Sequence, residues 1–292
     1  MIEDYNHLLQ RILFQVTGKD LEPSDIRMEN GGCINMALSV TTELGDFFIK
    51  WNELAYEDMF EKEAEGLALL SGTEAISVPE VIGFGQVEEK SFLVLEHIQE
   101  TYPSRLYWQD LGRSLATLHG VTANNCGLGH NNYIGRLHQT NTSRPSWIDF
   151  YKEMRLSHQL GLAMYNDYVD KAFVRDFKTF LEKLERIIPE SKSCLLHGDL
   201  WNGNIMPMDD KAYVFDPAVY YGAPEMDLAM TRLFGGFDEV FYQAYHEVNP
   251  IPDHFEELLD VYNLYPLMVH VNLFGPNSGY LGSVKRIIKR YL

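Results

Sequence analysis

Basic residues are scarce in this chain: 24 Lys and Arg stand against 42 Asp and Glu, a formal net charge of −18 with His neutral. A general binder of nucleic acid or of an anionic membrane needs a positive surface, so both partner classes are excluded. Cysteines are few as well. Cys33, Cys126 and Cys194 are odd in number and far apart, so no disulfide framework is expected and a reducing compartment is. No apolar run approaches the ~18 residues of a membrane span. Met1-Ile2-Glu3-Asp4-Tyr5 lacks the basic start and apolar stretch of a signal peptide, and the expected location is cytoplasmic. The phosphate-binding signatures are missing too. Gly18-Lys19-Asp20 has Asp where a P-loop needs Ser or Thr for Mg²⁺, and Gly83-Phe84-Gly85 lacks a third glycine. Apolar residues, in contrast, are plentiful. They make up 46% of 292 residues, with 17 Tyr and 16 Phe, enough for a sizeable core and, at roughly 150 residues per domain, for two lobes.

The two halves differ in pattern. Tyr5 to Val16 carries Leu8, Leu9, Ile12, Leu13 and Val16 at helical spacing, ended by Gly18. Ile34–Thr42 and Asp46–Trp51 read as strands joined at Glu43-Leu44-Gly45, and Val81–Val87 with Phe92–Leu95 as a second hairpin. Ala55 to Leu70 between them reads as a helix. Beyond Ile98, helical patterns dominate at Tyr107–Leu118, Trp147–Leu160, Lys171–Ile187, Pro224–Phe234 and Phe255–Leu273. Only Leu195–Asp216 breaks this with strand-like sequence, and residues 121–146 read as a long ordered loop. The fold class is α+β. Residues 1–98 form a small antiparallel β lobe with one long internal helix, and residues 99–292 a larger, mainly helical lobe. The joint falls near Gln99–Ser104.

The chemistry concentrates in His197-Gly198-Asp199-Leu200-Trp201-Asn202-Gly203-Asn204 and Val214-Phe215-Asp216. Phosphoryl transfer to a hydroxyl needs a carboxylate beside the nucleophile and oxygen ligands for Mg²⁺. Asp199 and Asn204 are five positions apart (204 − 199), the Asp-to-Asn spacing of a kinase catalytic loop. Asp216 lies seventeen further on (216 − 199) after a short apolar strand. A hairpin of Ile205–Pro207 with Lys211–Phe215 would bring Asn204 and Asp216 towards one metal. Either triplet alone reads as a turn; the two together do not.

These residues resemble the kinase-like phosphotransferase superfamily of aminoglycoside phosphotransferases, choline kinases and protein kinases. More narrowly, the chain resembles the fructosamine kinase (ketosamine kinase) family. That likeness rests on the catalytic loop with Trp201, on Asp216-Pro217-Ala218-Val219-Tyr220-Tyr221-Gly222, Glu225–Thr231 and Leu233–Phe237, and on Tyr262–Tyr265 and His270–Gly275. Ala223-Pro224 and Pro266 depart from it. The resemblance implies a protein-kinase-like bilobal fold, ATP and Mg²⁺ as cofactors, and transfer to the third-carbon hydroxyl of a ketosamine, leading to deglycation.

Residue by residue, it implies Asp199 as catalytic base and Asn204 and Asp216 as metal ligands. Lys50, at a strand end, would reach the phosphates. It would pair with Glu63, which the family pattern prefers over Glu61 and Glu65 on the same helix. The backbone of Leu95-Glu96-His97-Ile98 would meet adenine at Glu96 and Ile98. Gly31, Gly32 and Cys33 would cover the phosphates, although without G-x-G-x-x-G this stretch reads equally as a plain turn. Trp201 is a sugar platform or a ring packed under the loop; Tyr221, Glu225, His270 and Asn272 are further acceptor-pocket candidates. His197 and Asp227 are expected to hold the loop. Cys33 in a glycine-rich loop could be an oxidisable thiol that links two chains, against the simpler role of a small loop filler. The expected partner is a small ketosamine or a glycated amine or protein, with the chain a monomer or weak dimer. Alternatives are a kinase of an aminoglycoside, choline or similar amino alcohol, and a catalytically silent nucleotide-binding protein.

Overall fold

The computed structural model describes residues 5–29, 35–53 and 58–292. The expected glycine loop, with Gly31, Gly32 and Cys33, lies outside them. The first helix, α1 (Asn6–Thr17), buries Leu8, Leu9, Ile12 and Leu13, and Gly18 ends it at φ +69°, where a side chain would be strained. Strands β1 (Ser24–Met28), β2 (Met36–Thr42) and β3 (Gly45–Glu53) lead to α2 (Met59–Ser71), followed by β4 (Val81–Val87) and β5 (Lys90–Glu96). They form one antiparallel sheet in the order β1-β2-β3-β5-β4.

Strand alternation decides which side chain meets which helix. Phe47, Ile49 and Trp51 of β3 pack with α1, while Phe48 faces the other side, where Phe60, Ala64 and Leu67 of α2 meet Leu93 and Leu95 of β5. Lys50 shares the Phe48 side and so points towards α2. The edge strand β1 has no counterpart in the sequence pattern. Four of its five residues are exposed, so only Ile26 signals it.

The larger lobe opens with α3 (Arg105–Leu118), whose first turn is capped by the Ser104 hydroxyl. Residues 121–146, expected as a loop, contain a small hairpin, β6 (Asn132–Ile134) and β7 (Leu137–Gln139). The helix expected over Trp147–Leu160 is α4 (Trp147–Phe150), a π-helical segment Tyr151–Ser157 and α5 (His158–Tyr165). The wider π turn carries Arg155 into the interior, where its guanidinium lies 4.0 Å from the Tyr220 ring centroid and donates to Thr140 and Asn141. After α6 (Lys171–Ile187) come β8 (Cys194–Leu196), the hairpin β9 (Ile205–Met208) with β10 (Lys211–Val214), and β11 (Tyr220–Gly222) paired with β8.

The chain ends in α7 (Glu225–Leu233), α8 (Glu239–Val248), α9 (Phe255–Tyr262), α10 (Leu264–Phe274) and α11 (Tyr280–Arg290). The expected single helix over Phe255–Leu273 divides at Asn263. A continuous helix would drive the Pro266 ring into the Tyr262 carbonyl. Instead Pro266 sits in the first turn of α10, and the Tyr151 hydroxyl donates to the carbonyls of Val261 (2.6 Å) and Tyr262 (3.1 Å). The main core fills the large lobe and takes in Leu70 and Ile76 from the small one, so the lobes share a seam at the end of α2. Among the described residues, no helix is long and apolar enough to cross a membrane.

Candidate active site

The His197–Asn204 segment, expected to be the catalytic loop, joins β8 to the β9–β10 hairpin. Gly198 has φ +85°, and a Cβ there would lie 2.1 Å from the Ala218 carbonyl oxygen, so the close approach of the two segments requires glycine. Asp227, at the start of α7 and 1% exposed, accepts the backbone N–H groups of His197 (2.8 Å) and Gly198 (2.9 Å). His119, backed by the Tyr245 hydroxyl at 2.8 Å, lies 3.3 Å from the same carboxylate. The His197 ring meets the Phe215 carbonyl at 3.1 Å, and the Ala218 N–H donates to the His197 carbonyl. Burial pushes the His197 pKa down. Its ring therefore ties the two loops together as a neutral group.

Asn204 donates from its amide nitrogen to the Asp199 carbonyl (2.8 Å) and carboxylate (3.0 Å). Burial first, then the charge of Asp216, pushes the Asp199 carboxyl up to about 7, against that hydrogen bond. Asp216 adopts φ +54°, a left-handed conformation uncommon for a residue with a Cβ. Its carboxylate contacts the Lys50 ammonium, which also donates to Glu63 at 2.6 Å. Burial works against the Lys50 charge, but Asp216 and Glu63 more than offset it and raise its pKa. Burial likewise pushes the Glu63 carboxyl up to about 7, against the pull of Lys50. Of the rival acids on α2, Glu61 is exposed and Glu65 pairs with Lys62.

These groups open onto a cavity of about 330 Å³. Glu63, Asp199, Asn204 and Asp216 line it together with Trp201 and His270. The Trp201 ring folds back over Gly203, where a Cβ would come within 2.4 Å of it, and its outer edge meets Phe234 at 5.9 Å. Phe234 in turn touches His270 at 4.7 Å, and His270 touches Tyr280 at 4.8 Å. The His270 Nδ1 lies 2.7 Å from the Pro266 carbonyl, which can only accept. With its pKa lowered by burial, the ring keeps Nδ1–H and leaves Nε2 as an acceptor.

Three of the acceptor-pocket candidates lie away from this cavity. Glu225 is buried at the start of α7 and takes a hydrogen bond from Ser191 at 3.1 Å. The Tyr221 backbone exchanges hydrogen bonds with Gly127, and its side chain packs against the large core. Asn272 is spent on Gln159. None of the three lines the cavity, because their helix and strand positions turn them inward. The cavity adds residues the sequence did not point to: Asn132, Tyr133, Ile134 and Gly135 of the β6 hairpin, with Phe234, Phe274 and Tyr280. The spacing of Phe234, His270, Phe274 and Tyr280, aromatic and outside a regular apolar face, was the available signal for the latter set. Glu96 presents an exposed side chain at the end of β5, its N–H donating to Glu80, while Ile98 is buried.

The fructosamine kinase family model matches residues 6–292. A chloroplastic protein-ribulosamine 3-kinase of Arabidopsis thaliana is 39% identical over 283 residues, covering 94% of this chain and 85% of that one. Among solved structures, one described as a "putative fructosamine-3-kinase" from Haemophilus somnus superposes with TM-score 0.86 at 28% identity, covering 97% of this chain and 96% of that one. A thermostable mutant of an aminoglycoside phosphotransferase, in ternary complex with AMP-PNP and hygromycin B, superposes at TM-score 0.62 and 14% identity, over 96% and 97% of the two chains. That likeness shows the shared kinase-like α+β fold.

Proposed function

This chain belongs to the fructosamine kinase family, and from that membership we propose that it transfers the γ-phosphoryl group of ATP to the third-carbon hydroxyl of a ketosamine. The observation that carries the reading is the meeting of Lys50, Glu63, Asp199, Asn204 and Asp216 beside a cavity walled by aromatic rings. Lys50, held by Glu63, steadies the phosphates between the lobes, which we divide at residues 98 and 99. The backbone at Glu96 and Ile98 receives adenine. Asp216 and Asn204 offer a carboxylate and an amide oxygen, the hard donors Mg²⁺ prefers, and the Lys50 ammonium on Asp216 shows that this carboxylate already faces positive charge. Bound there, Mg²⁺ would neutralise charge on the phosphate oxygens.

Trp201 offers a flat face to the sugar, and His270 Nε2 an acceptor for one of its hydroxyls. Asp199 takes the proton as the sugar oxygen bonds to the γ-phosphorus and the bond to ADP breaks. The third-carbon ester then lies next to the ketone carbon. Enolisation towards the amine-bearing carbon lets phosphate leave, and hydrolysis frees the amine, so the role is repair of glycated amines or proteins in the cytoplasm. Replacing Asp199 by Asn removes the proton acceptor while leaving Lys50 and the metal ligands. Turnover is expected to fall by about 10³-fold or more with ATP affinity nearly kept. Near-normal turnover would overturn the assignment.

A further inference from the structure

The β6–β7 hairpin belongs to the large lobe by sequence, yet it touches the acceptor cavity and the small lobe at once. Asn132, Tyr133, Ile134 and Gly135 line the cavity. The Tyr133 hydroxyl donates to the carboxylate of Asp58, the residue that precedes α2, and its ring packs on His138 at 4.6 Å. One residue before the hairpin's lead-in, His130 Nε2 lies 3.0 Å from the Glu65 carboxylate on α2.

The hairpin base is fastened to the segment that follows Asp216. Asn132 donates to the Val219 carbonyl at 2.9 Å, and Gln139 to the Ala218 carbonyl at 3.0 Å. Arg136 reaches the Leu273 carbonyl at 2.8 Å, at the end of α10. The helix so gripped, α2, carries Glu63, which holds Lys50. It also leans on the same segment, since a Cβ at Gly66 would lie 3.3 Å from Pro217 and 3.4 Å from Val219.

We propose that this hairpin couples the acceptor cavity to the nucleotide site, with Tyr133 the positioning residue that holds α2, and therefore Glu63, against Lys50. The acceptor half of the coupling rests on the reading of the cavity given above. An acceptor seated against Tyr133 favours the hairpin's present position and so tightens ATP binding. ATP must then tighten acceptor binding by the same factor. The contacts are half-exposed and individually weak, so the coupling is modest, about fivefold to tenfold.

The test is calorimetric titration of AMP-PNP with Mg²⁺ into the full chain without acceptor, comparing wild type, Tyr133→Phe, Asp58→Ala and the double variant. Each single change is expected to weaken nucleotide binding about fivefold, and the double no more than either, because both remove one interaction. Asp58 does not line the cavity, so loss of an acceptor contact cannot produce its effect. Thermal midpoints within about 2 °C of wild type separate positioning from general destabilisation. If Asp58→Ala does not fold, Glu65→Ala removes the His130 contact with α2 and carries the same expectation. In steady state, saturating fructosyl-lysine lowers the ATP KM of wild type and leaves that of Tyr133→Phe unmoved. Unchanged nucleotide affinity in the single variants, or losses that simply add, would overturn the proposal. If wild type releases no ADP with fructosyl-lysine, the acceptor reading fails, while the nucleotide titration still decides the role of the hairpin.

Discussion

Asp227→Asn is the substitution most informative about how the catalytic loop is held. The Asp227 carboxylate is buried, accepts two consecutive backbone N–H groups at 2.8 and 2.9 Å, and faces His119 at 3.3 Å. Asn is nearly the same size but keeps one oxygen acceptor and turns an NH₂ towards the other N–H. A hydrogen bond to a charged group contributes about 1.5–3 kcal/mol, and a buried N–H without an acceptor costs about 1–3 kcal/mol. The expected loss is therefore about 3–5 kcal/mol, a large part of the ~5–15 kcal/mol that holds an ordinary domain together. The pH dependence has a definite sign. Burial alone would raise the Asp227 pKa, but the hydrogen bond with His119 and the Gly198 N–H bring it below its ordinary value. Its stabilising effect is thus present above an unfolded pKa of about 3.9 and fades as pH falls towards the lower folded value. Urea unfolding followed from pH 7 down to and below about 3.9 should show a lower midpoint for the variant and a shallower acid dependence. With the loop displaced, kcat should drop about 100-fold, while ATP KM, which the proposed function assigns to Lys50 and Glu63, should move little. Wild-type midpoint and turnover in Asp227→Asn would refute the idea that this carboxylate seats the loop.

Two further expectations follow from the same geometry. Asp199 acts as a base only when ionised, and burial with the Asp216 charge places its pKa at about 7 in the free enzyme. The ATP kcat/KM should therefore rise about tenfold per pH unit below that value and level off above it, whereas a cation at Asp216 should shift the limb in kcat to lower pH; superimposable limbs would contradict this. Glu63→Gln leaves Lys50 with Asp216 alone, and initial rates should show ATP KM raised about tenfold, or about 1.4 kcal/mol, with the ketosamine KM little changed.

Those parts of the fold that follow from periodicity were legible in the chain. The α1 stripe and Gly18, the two small-lobe hairpins and the Lys171–Ile187 helix each depend on local pattern alone. The β9–β10 hairpin was legible too, because Asp199, Asn204 and Asp216 flank alternating strand residues. What escaped depends on contacts distant in sequence. Strand β1 forms because β2 offers it an edge, not because its own side chains are buried. The break at Asn263 needs Pro266 and the Tyr151 hydroxyl together. Glu225 and Tyr221 carry the right chemistry for a sugar pocket, yet the start of α7 buries one beside Ser191 and the β8–β11 pairing packs the other on the core. The hairpin at Asn132–Gln139 was hidden because its strands are three residues each, too short for alternation to register.

The central claim is that the Asp199 cavity receives a ketosamine and that phosphate goes to its third carbon. The most direct measurement is ADP release across fructosyl-lysine, ribulosyl-lysine, an aminoglycoside and choline, with the phosphate on the product located by ³¹P-coupled NMR. The account predicts turnover with the ketosamines, a phosphate on the third-carbon oxygen, and loss of both in Asp199→Asn. ADP release with the aminoglycoside or choline alone, or a phosphate on any other hydroxyl, would contradict it.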